Sequence, residues 1–331
     1  MLSIPMPNQI FTHIFFKKYK ILKEIDSGSY GDVYEAEHIN DKTHVAVKLE
    51  KRFQKQTYLK SEYSFMYDLQ GFGIPKLITF GINTQYNILV MELLGASLKK
   101  ILSIKGGTFN LKDVCIIGIQ LMNRFKFIHS KYIVHRDIKP ANFLIGKDNP
   151  HIIYVIDFGF AKKYRSSSTG RHIKFSLPRL VEGTDRYLST NATRGVEQSR
   201  RDDLESIAFM LVYFLKGSLP WQKYEKYDDV EYRYYQIYKS KKLTTPKKLC
   251  QNLPEEFEKM VAYCQNLGFE EDPDYDYLKG LLQNVLVRNY SINDLELSWN
   301  KVINGADKKH QTNKNMMMLN TDIIKYIKVK N

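Results

Sequence analysis

The sequence predicts an α+β fold in two lobes: a small antiparallel β-sheet lobe with one helix, then a larger, mainly α-helical lobe. Two hydrophobic periods, one on either side of Leu94-Gly95, carry that prediction. From Tyr19 to about Val90, apolar and polar residues alternate in short runs, as in strands with one buried face. After Leu94-Gly95 the apolar residues recur at i, i+3, i+4 and i+7, which builds amphipathic helices.

Taken in order, strands are expected over residues 19–25, 32–39, 44–50, 75–82 and 86–93, punctuated by turns at Gly28-Ser29 and Asn40-Asp41. Between the third and fourth, Tyr58 to Leu69 has helical spacing and meets a stop at Gly71. Residues 92–95 form a hinge, and residues 97–103, 111–130 and 202–215 beyond it carry helical patterns. The first lobe is placed at 19–91 and the second at 96–303, after an N-terminal extension at 1–18. A short tail, 304–331, has the biased composition of a mobile segment, with Lys308-Lys309 and a methionine run at 316–318. A cleft between two such lobes is where a ligand is expected.

With 43% hydrophobic residues among 331, the chain has ample material for a core. Its 50 lysines and arginines against 36 acidic residues give a net charge of +14, which favours anionic partners. The lysines are dispersed and not interleaved with aromatics in one block, so stable nucleic-acid binding is not expected. Cys115, Cys250 and Cys264 are far apart and in no metal-ligand spacing, which argues against a disulfide framework or zinc site. A reducing compartment, cytoplasm or nucleus, follows. The longest apolar runs, such as 115–122, fall well short of the roughly 20 residues that cross a bilayer. No secretory signal or prenylation cysteine is visible, so no membrane anchor is expected.

The chemistry concentrates in a few short stretches. In His135-Arg136-Asp137-Ile138-Lys139-Pro140-Ala141-Asn142, Asp137 can accept the proton of an attacking hydroxyl and Lys139 can offset charge on a moving phosphoryl group. The Asn142 amide oxygen suits Mg²⁺, a hard cation that takes oxygen ligands. Asp157-Phe158-Gly159 follows the apolar run 152–156 and puts a second candidate metal ligand, Asp157, at a strand end. Val45-Ala46-Val47-Lys48 ends a strand pattern on a lysine able to bind the α and β phosphates of ATP. That lysine needs a carboxylate partner, and Glu62 is the candidate, with Glu50 and Asp68 as rivals nearby. Asp26-Ser27-Gly28-Ser29-Tyr30-Gly31-Asp32-Val33 lies between two strands, where a glycine-rich loop would fold over phosphates. Asp26 stands where such a loop has its first glycine, and a carboxylate facing phosphates would repel them.

In this order these motifs match protein kinases of the serine/threonine type. The chain resembles the casein kinase 1 family in particular, from about Tyr19 to Val302. The likeness rests on Val90-Met91-Glu92-Leu93-Leu94-Gly95, Ser189-Thr190-Asn191 and Glu197-Gln198-Ser199-Arg200-Arg201-Asp202-Asp203-Leu204-Glu205-Ser206. Gly217-Ser218-Leu219-Pro220-Trp221-Gln222 and Asp272-Pro273-Asp274-Tyr275-Asp276-Tyr277-Leu278 extend it. The resemblance implies a bilobal protein kinase fold and a monomer. It implies transfer of the γ-phosphoryl group of ATP, with Mg²⁺, to serines or threonines of protein substrates, preceded by an acidic or phosphorylated residue.

It also implies a nucleotide-binding set of Ile25, Gly28, Ser29, Gly31, Val33, Ala46 and Lys48. Met91, Glu92, Leu94, Leu144 and Ile156 complete that set, Met91 as gatekeeper and Leu94 meeting adenine through its backbone. Arg136, Lys162 and Arg179 would form one anion site, and Arg186 would help form another for a priming phosphate, to which its planar fork is suited. The competing reading pairs Arg186 with a carboxylate such as the adjacent Asp185. The chain departs from the family at Asp26 and again at Glu225, which stands where a substrate-binding lysine is expected, between Lys223 and Lys226. The stretch 224–238 is acidic and tyrosine-rich where the family has a basic cluster, so nuclear import through it is not supported. The alternative to an active enzyme is a pseudokinase scaffold with ATP binding weakened by Asp26.

Overall fold

The computed structural model describes residues 14–28, 31–52, 57–177, 181–291 and 295–299. They divide into two compact units: the chain through Gly95 together with 156–159, and Ala96–Val155 with the chain from Phe160 onward.

The first unit is built on a six-stranded antiparallel sheet of order β1-β2-β3-β4-β6-β5. Its strands are β1 (Ile14–Phe15), β2 (Tyr19–Gly28), β3 (Gly31–His38), β4 (His44–Lys51), β5 (Leu77–Ile82) and β6 (Tyr86–Glu92). Helix α1 (Leu59–Asp68) lies between β4 and β5 in sequence. β4 is central, and its interior positions from Val45 to Glu50 are all buried. Val45, Val47 and Leu49 meet Ile21, Ala36, Ile88 and Val90 in the core of the unit. The edge strand β1 adds to the expected set; Phe15, within the stretch read as an extension, is buried in that core.

The second unit contains α2 (Leu98–Ile104), α3 (Leu111–Ser130), α4 (Thr190–Thr193), α5 (Arg200–Lys216), α6 (Val230–Leu243), α7 (Pro246–Leu249), α8 (Glu255–Asn266) and α9 (Tyr275–Asn289). Two short antiparallel ribbons accompany them, β7 (Ile133–Val134) with β10 (Lys162–Lys163) and β8 (Phe143–Ile145) with β9 (Ile153–Val155). Several of the helices start where side chains satisfy otherwise orphaned amides. Ser97 Oγ accepts the Lys100 N–H at 3.2 Å, and Asn110 Oδ1 accepts that of Asp113 at 2.8 Å. At α5 the Ser199 N–H donates to Asp202 Oδ2 at 2.8 Å, placing a carboxylate in the first turn where the helix dipole favours it. α3 and α5 form the core of the unit, flanked by α9 and α8. Among the described residues no helix is long and apolar enough to cross a membrane.

Candidate active site

In the first unit Lys48 sits on central β4, opposite Val33 of β3 and Leu89 of β6. Its Nζ donates to Glu62 Oε2 at 2.7 Å and to Asp157 Oδ1 at 3.2 Å, and both Lys48 and Glu62 are buried. Burial alone would lower the Lys48 pKa, but the Asp157 and Glu62 carboxylates override it and hold the ammonium above its ordinary value. Burial pushes the Glu62 carboxyl upward against the pull of Lys48. Glu50 is committed elsewhere: Oε1 accepts the N–H groups of Tyr58 at 2.5 Å and Leu59 at 3.1 Å, and Oε2 accepts Asn87 Nδ2 at 2.8 Å. It fixes the start of the helix that carries Glu62, while Asp68 ends that helix.

Asp157 takes φ 65°, a left-handed conformation costly for a non-glycine residue and characteristic of functional sites. Gly28 and Gly31 pair across the β2–β3 turn. Gly31 has φ +120°, and a Cβ there would lie 2.4 Å from the Leu49 carbonyl oxygen, so only glycine fits. Asp26, opposite Val33, is exposed, and its Oδ1 accepts the Ser27 N–H at 3.0 Å. Ser29 lies outside the described residues. Of the remaining nucleotide candidates, Ala46 and Met91 are buried partners across β4 and β6. Val33, Glu92, Leu94 and Ile156 are half-buried and Ile25 is exposed; Leu144 belongs to β8 of the second unit.

In the second unit the backbone N–H groups of His135 and Arg136 donate to Asp203 Oδ2 and Oδ1 at 2.8 and 2.9 Å, and His129 Nε2 lies 2.9 Å from Oδ2. Asp203, buried on α5, thus anchors the loop in which Arg136 takes φ 68°. Burial would push the Asp203 carboxyl up, but the bond and charge of His129, His135 and the His135 amide hold it below its ordinary value. His129 is lowered in turn, because loss of water outweighs its contact with Asp203.

Both shifts mean that the unfolded chain takes up protons that the folded protein refuses. Stability should therefore fall on acidification, first below pH about 6.5 and again below about 4, the ordinary histidine and aspartate values. Asp203→Asn should remove about 3 kcal/mol at neutral pH, since one loop amide loses its acceptor, and should flatten the lower part of the curve. Denaturant midpoints measured against pH check both; an unaltered curve in the variant would contradict this role.

The anchored loop carries Asp137, which is 2% exposed. Its Oδ2 accepts Lys139 Nζ at 2.6 Å and Asn142 Nδ2 at 3.2 Å, and its carbonyl accepts the same Nδ2 at 2.8 Å. Because its nitrogen is turned to Asp137, Asn142 offers a cation its amide oxygen, the atom a hard metal prefers. Asp137 Oδ1 accepts the Thr184 hydroxyl at 2.9 Å, a contact the sequence reading missed. The preceding Gly183 has φ +117°, and a Cβ there would meet the Arg136 carbonyl oxygen at 2.7 Å. Glycine lets this segment lie against the loop that carries Asp137.

Each described member of the anion set has a carboxylate partner. Arg136 donates from Nε to the Phe160 carbonyl at 2.7 Å and pairs with Glu182 at 2.8 Å; Lys162 reaches both oxygens of Glu197 at 2.9 and 3.0 Å. Arg186 makes a fork-to-fork pair with Glu225 at 2.9 and 2.6 Å and donates to the Tyr213 hydroxyl at 3.2 Å. Asp185 instead pairs with Arg233 at 3.0 Å. Arg179 lies outside the described residues.

Residues 19–287 match the protein kinase domain family. The chain is 42% identical over 291 residues to casein kinase I homolog 1 of Schizosaccharomyces pombe, an alignment that covers 87% of this chain. It spans 65% of the length of that relative. The resemblance to casein kinase 1 read from the sequence motifs is borne out by this likeness. With the two-unit architecture and the kinase motifs in place, the chain belongs to the protein kinase family.

Proposed function

We propose that the protein is an ATP-dependent serine/threonine kinase of casein kinase 1 type, acting as a monomer in the cytoplasm or nucleus on acidic or phosphate-primed protein segments. The observation that best supports catalysis is the buried contact of Lys48 with Glu62 and Asp157 at 2.7 and 3.2 Å. Such a group is expensive to desolvate, and a scaffold has no use for it. The catalytic domain is taken as residues 19–303 with 304–331 as a tail; β1 (Ile14–Phe15), inside the stretch 1–18 read as an extension, pairs with β2 and belongs with its sheet.

In this reading Lys48, fixed by Glu62, binds the α and β phosphates of ATP. Ile25, Val33, Ala46, Leu144 and Ile156 offer apolar surface to the base, with Met91 as gatekeeper and Leu94 contributing its backbone. Mg²⁺, when bound, neutralises charge on the phosphate oxygens, with Asn142 and Asp157 as its protein ligands. The substrate hydroxyl oxygen bonds to the γ-phosphorus as the bond to the bridging oxygen breaks and ADP leaves; the hydroxyl proton passes to Asp137. Lys139 balances charge on the moving group, while Thr184 and Asn142 hold the Asp137 carboxylate. A net charge of +14 draws acidic segments to the surface. The scaffold alternative retains only Asp26, whose carboxylate sits in the β2–β3 turn region.

Phosphate preference depends on Arg186, which a substrate phosphate can use only by displacing Glu225. Arg186→Ala should lower kcat/KM on a phosphate-primed serine peptide more than on an unprimed acidic one. Glu225→Gln should raise the primed-to-unprimed ratio by about tenfold, since a charge-assisted fork is released for the phosphate. Equal changes on both peptides would leave Arg186 a structural residue and remove the priming preference.

A further inference from the structure

We propose that Lys241, a residue outside every kinase motif in the chain, is a positioning residue that holds Asp137 in place through residues 184–188. Lys241 lies on α6 and is 1% exposed. Its Nζ donates to the Asp185 carbonyl at 3.0 Å, the Leu188 carbonyl at 2.7 Å and the Thr193 hydroxyl at 2.9 Å. An ammonium has three donors, and these acceptors use all of them. It also lies 5.3 Å from the ring centre of Trp221 and 5.9 Å from that of Phe209. Burial draws its pKa down to about 7, against the pull of Glu205, Asp185 and Glu225. Buried in this way, the group depends on the three acceptors it binds.

What it binds is the short segment that carries Thr184 at its leading end and Arg186, paired with Glu225, within it. The Tyr187 and Leu188 amides both fold back onto the Thr184 carbonyl, at 2.9 and 3.1 Å, so 184–188 is a tight turn. Lys241 holds the carbonyls of Asp185 and Leu188, and Trp221 Nε1 donates to that of Arg186 at 2.7 Å. Arg233, on the same helix as Lys241, holds the Asp185 carboxylate at 3.0 Å. At its leading end the turn delivers the Thr184 hydroxyl to Asp137 Oδ1 at 2.9 Å, with Gly183 against the Arg136 carbonyl. From α6 to the reacting carboxylate the connection is continuous: Lys241, turn, Thr184, Asp137. Without Lys241 the buried Leu188 carbonyl and the half-buried Asp185 carbonyl lose this donor, the turn drifts, and Asp137 loses the bond that orients one of its oxygens.

The inference rests on the kinase reading, and the test separates the two. In the full chain, kcat and KM for ATP would be measured for the native protein, Lys241→Met, Thr184→Ala and the double variant, each at a temperature where circular dichroism shows it folded. Lys241→Met should lower kcat by about a hundredfold, the scale of a misplacement near 1 Å, with KM for ATP unchanged. In the Thr184→Ala background the same substitution should cost little more, because the connection is already cut. Should Lys241→Met fail to fold, Thr193→Val, which keeps the shape and removes one acceptor of Lys241 together with the hydroxyl's own bond to the Ser189 carbonyl, takes its place, with a smaller kcat loss that also vanishes beside Thr184→Ala. Additive losses, or an unchanged kcat in the folded variant, would overturn the positioning role while leaving the kinase reading intact. A native chain that transfers no phosphate would overturn both.

Discussion

Asp137→Asn should lower phosphate transfer by about a thousandfold, within the range for loss of a positioned proton acceptor, with ATP affinity near native. Asp137 divides its oxygens between Thr184 on one side and Lys139 with Asn142 on the other. An amide offers one oxygen and one NH2, so at least one of those donors faces a group unable to accept, and the substrate proton has no carboxylate to enter. The change is nearly isosteric, and Asp203 still anchors the loop backbone, so the variant should melt close to the native protein. Single-turnover transfer and nucleotide binding by calorimetry separate the two effects; transfer at the native rate would remove Asp137 as the acceptor.

Lys48→Met should abolish transfer as fully, with a different signature. It strips the ammonium from two carboxylates, Glu62 and Asp157, and leaves Glu62 buried without its counter-charge. Above neutral pH the variant should be about 3 kcal/mol less stable, the usual cost of breaking a buried pair. The loss should shrink as pH falls, because the Glu62 carboxyl, already pushed up by burial, neutralises itself. Adding Glu62→Gln should recover most of the stability and none of the activity. ATP affinity and denaturant midpoints across pH 6 to 9 check this, and a Lys48→Met variant with native turnover would sever Lys48 from the phosphates.

The residues proposed to do the chemistry are the most legible part of this chain. Lys48, Asp137, Asn142 and Asp157 each stand in a short contiguous motif, because a strand end or a tight loop must deliver them, and the sequence spells out that local geometry. Glu62 had rivals in Glu50 and Asp68, since an ion pair leaves no spacing rule between a strand and the helix after it. The structure assigns Glu50 to the start of α1 instead. What could not be read are contacts between residues far apart in the chain. Glu225 reaches Arg186 and Asp203 reaches His135 and Arg136 through folding alone. Helix α6 shows why the rest of its lobe was read only coarsely: tyrosines, lysines and an arginine surround Ile237 and Lys241, its buried residues, so no apolar stripe announces it. A buried lysine breaks the pattern that hydrophobic periodicity detects. Strand β1 is only two residues long, too short for any alternation to show.

The most direct test is phosphate transfer from γ-labelled ATP with Mg²⁺ to casein and to a phosphate-primed serine peptide, native chain beside Asp137→Asn. Label on serine or threonine with the native chain, and almost none with the variant, is the expected result. Equal labelling by both, or none from a folded native chain, would contradict catalysis by this site and turn attention to Asp26 and a binding role.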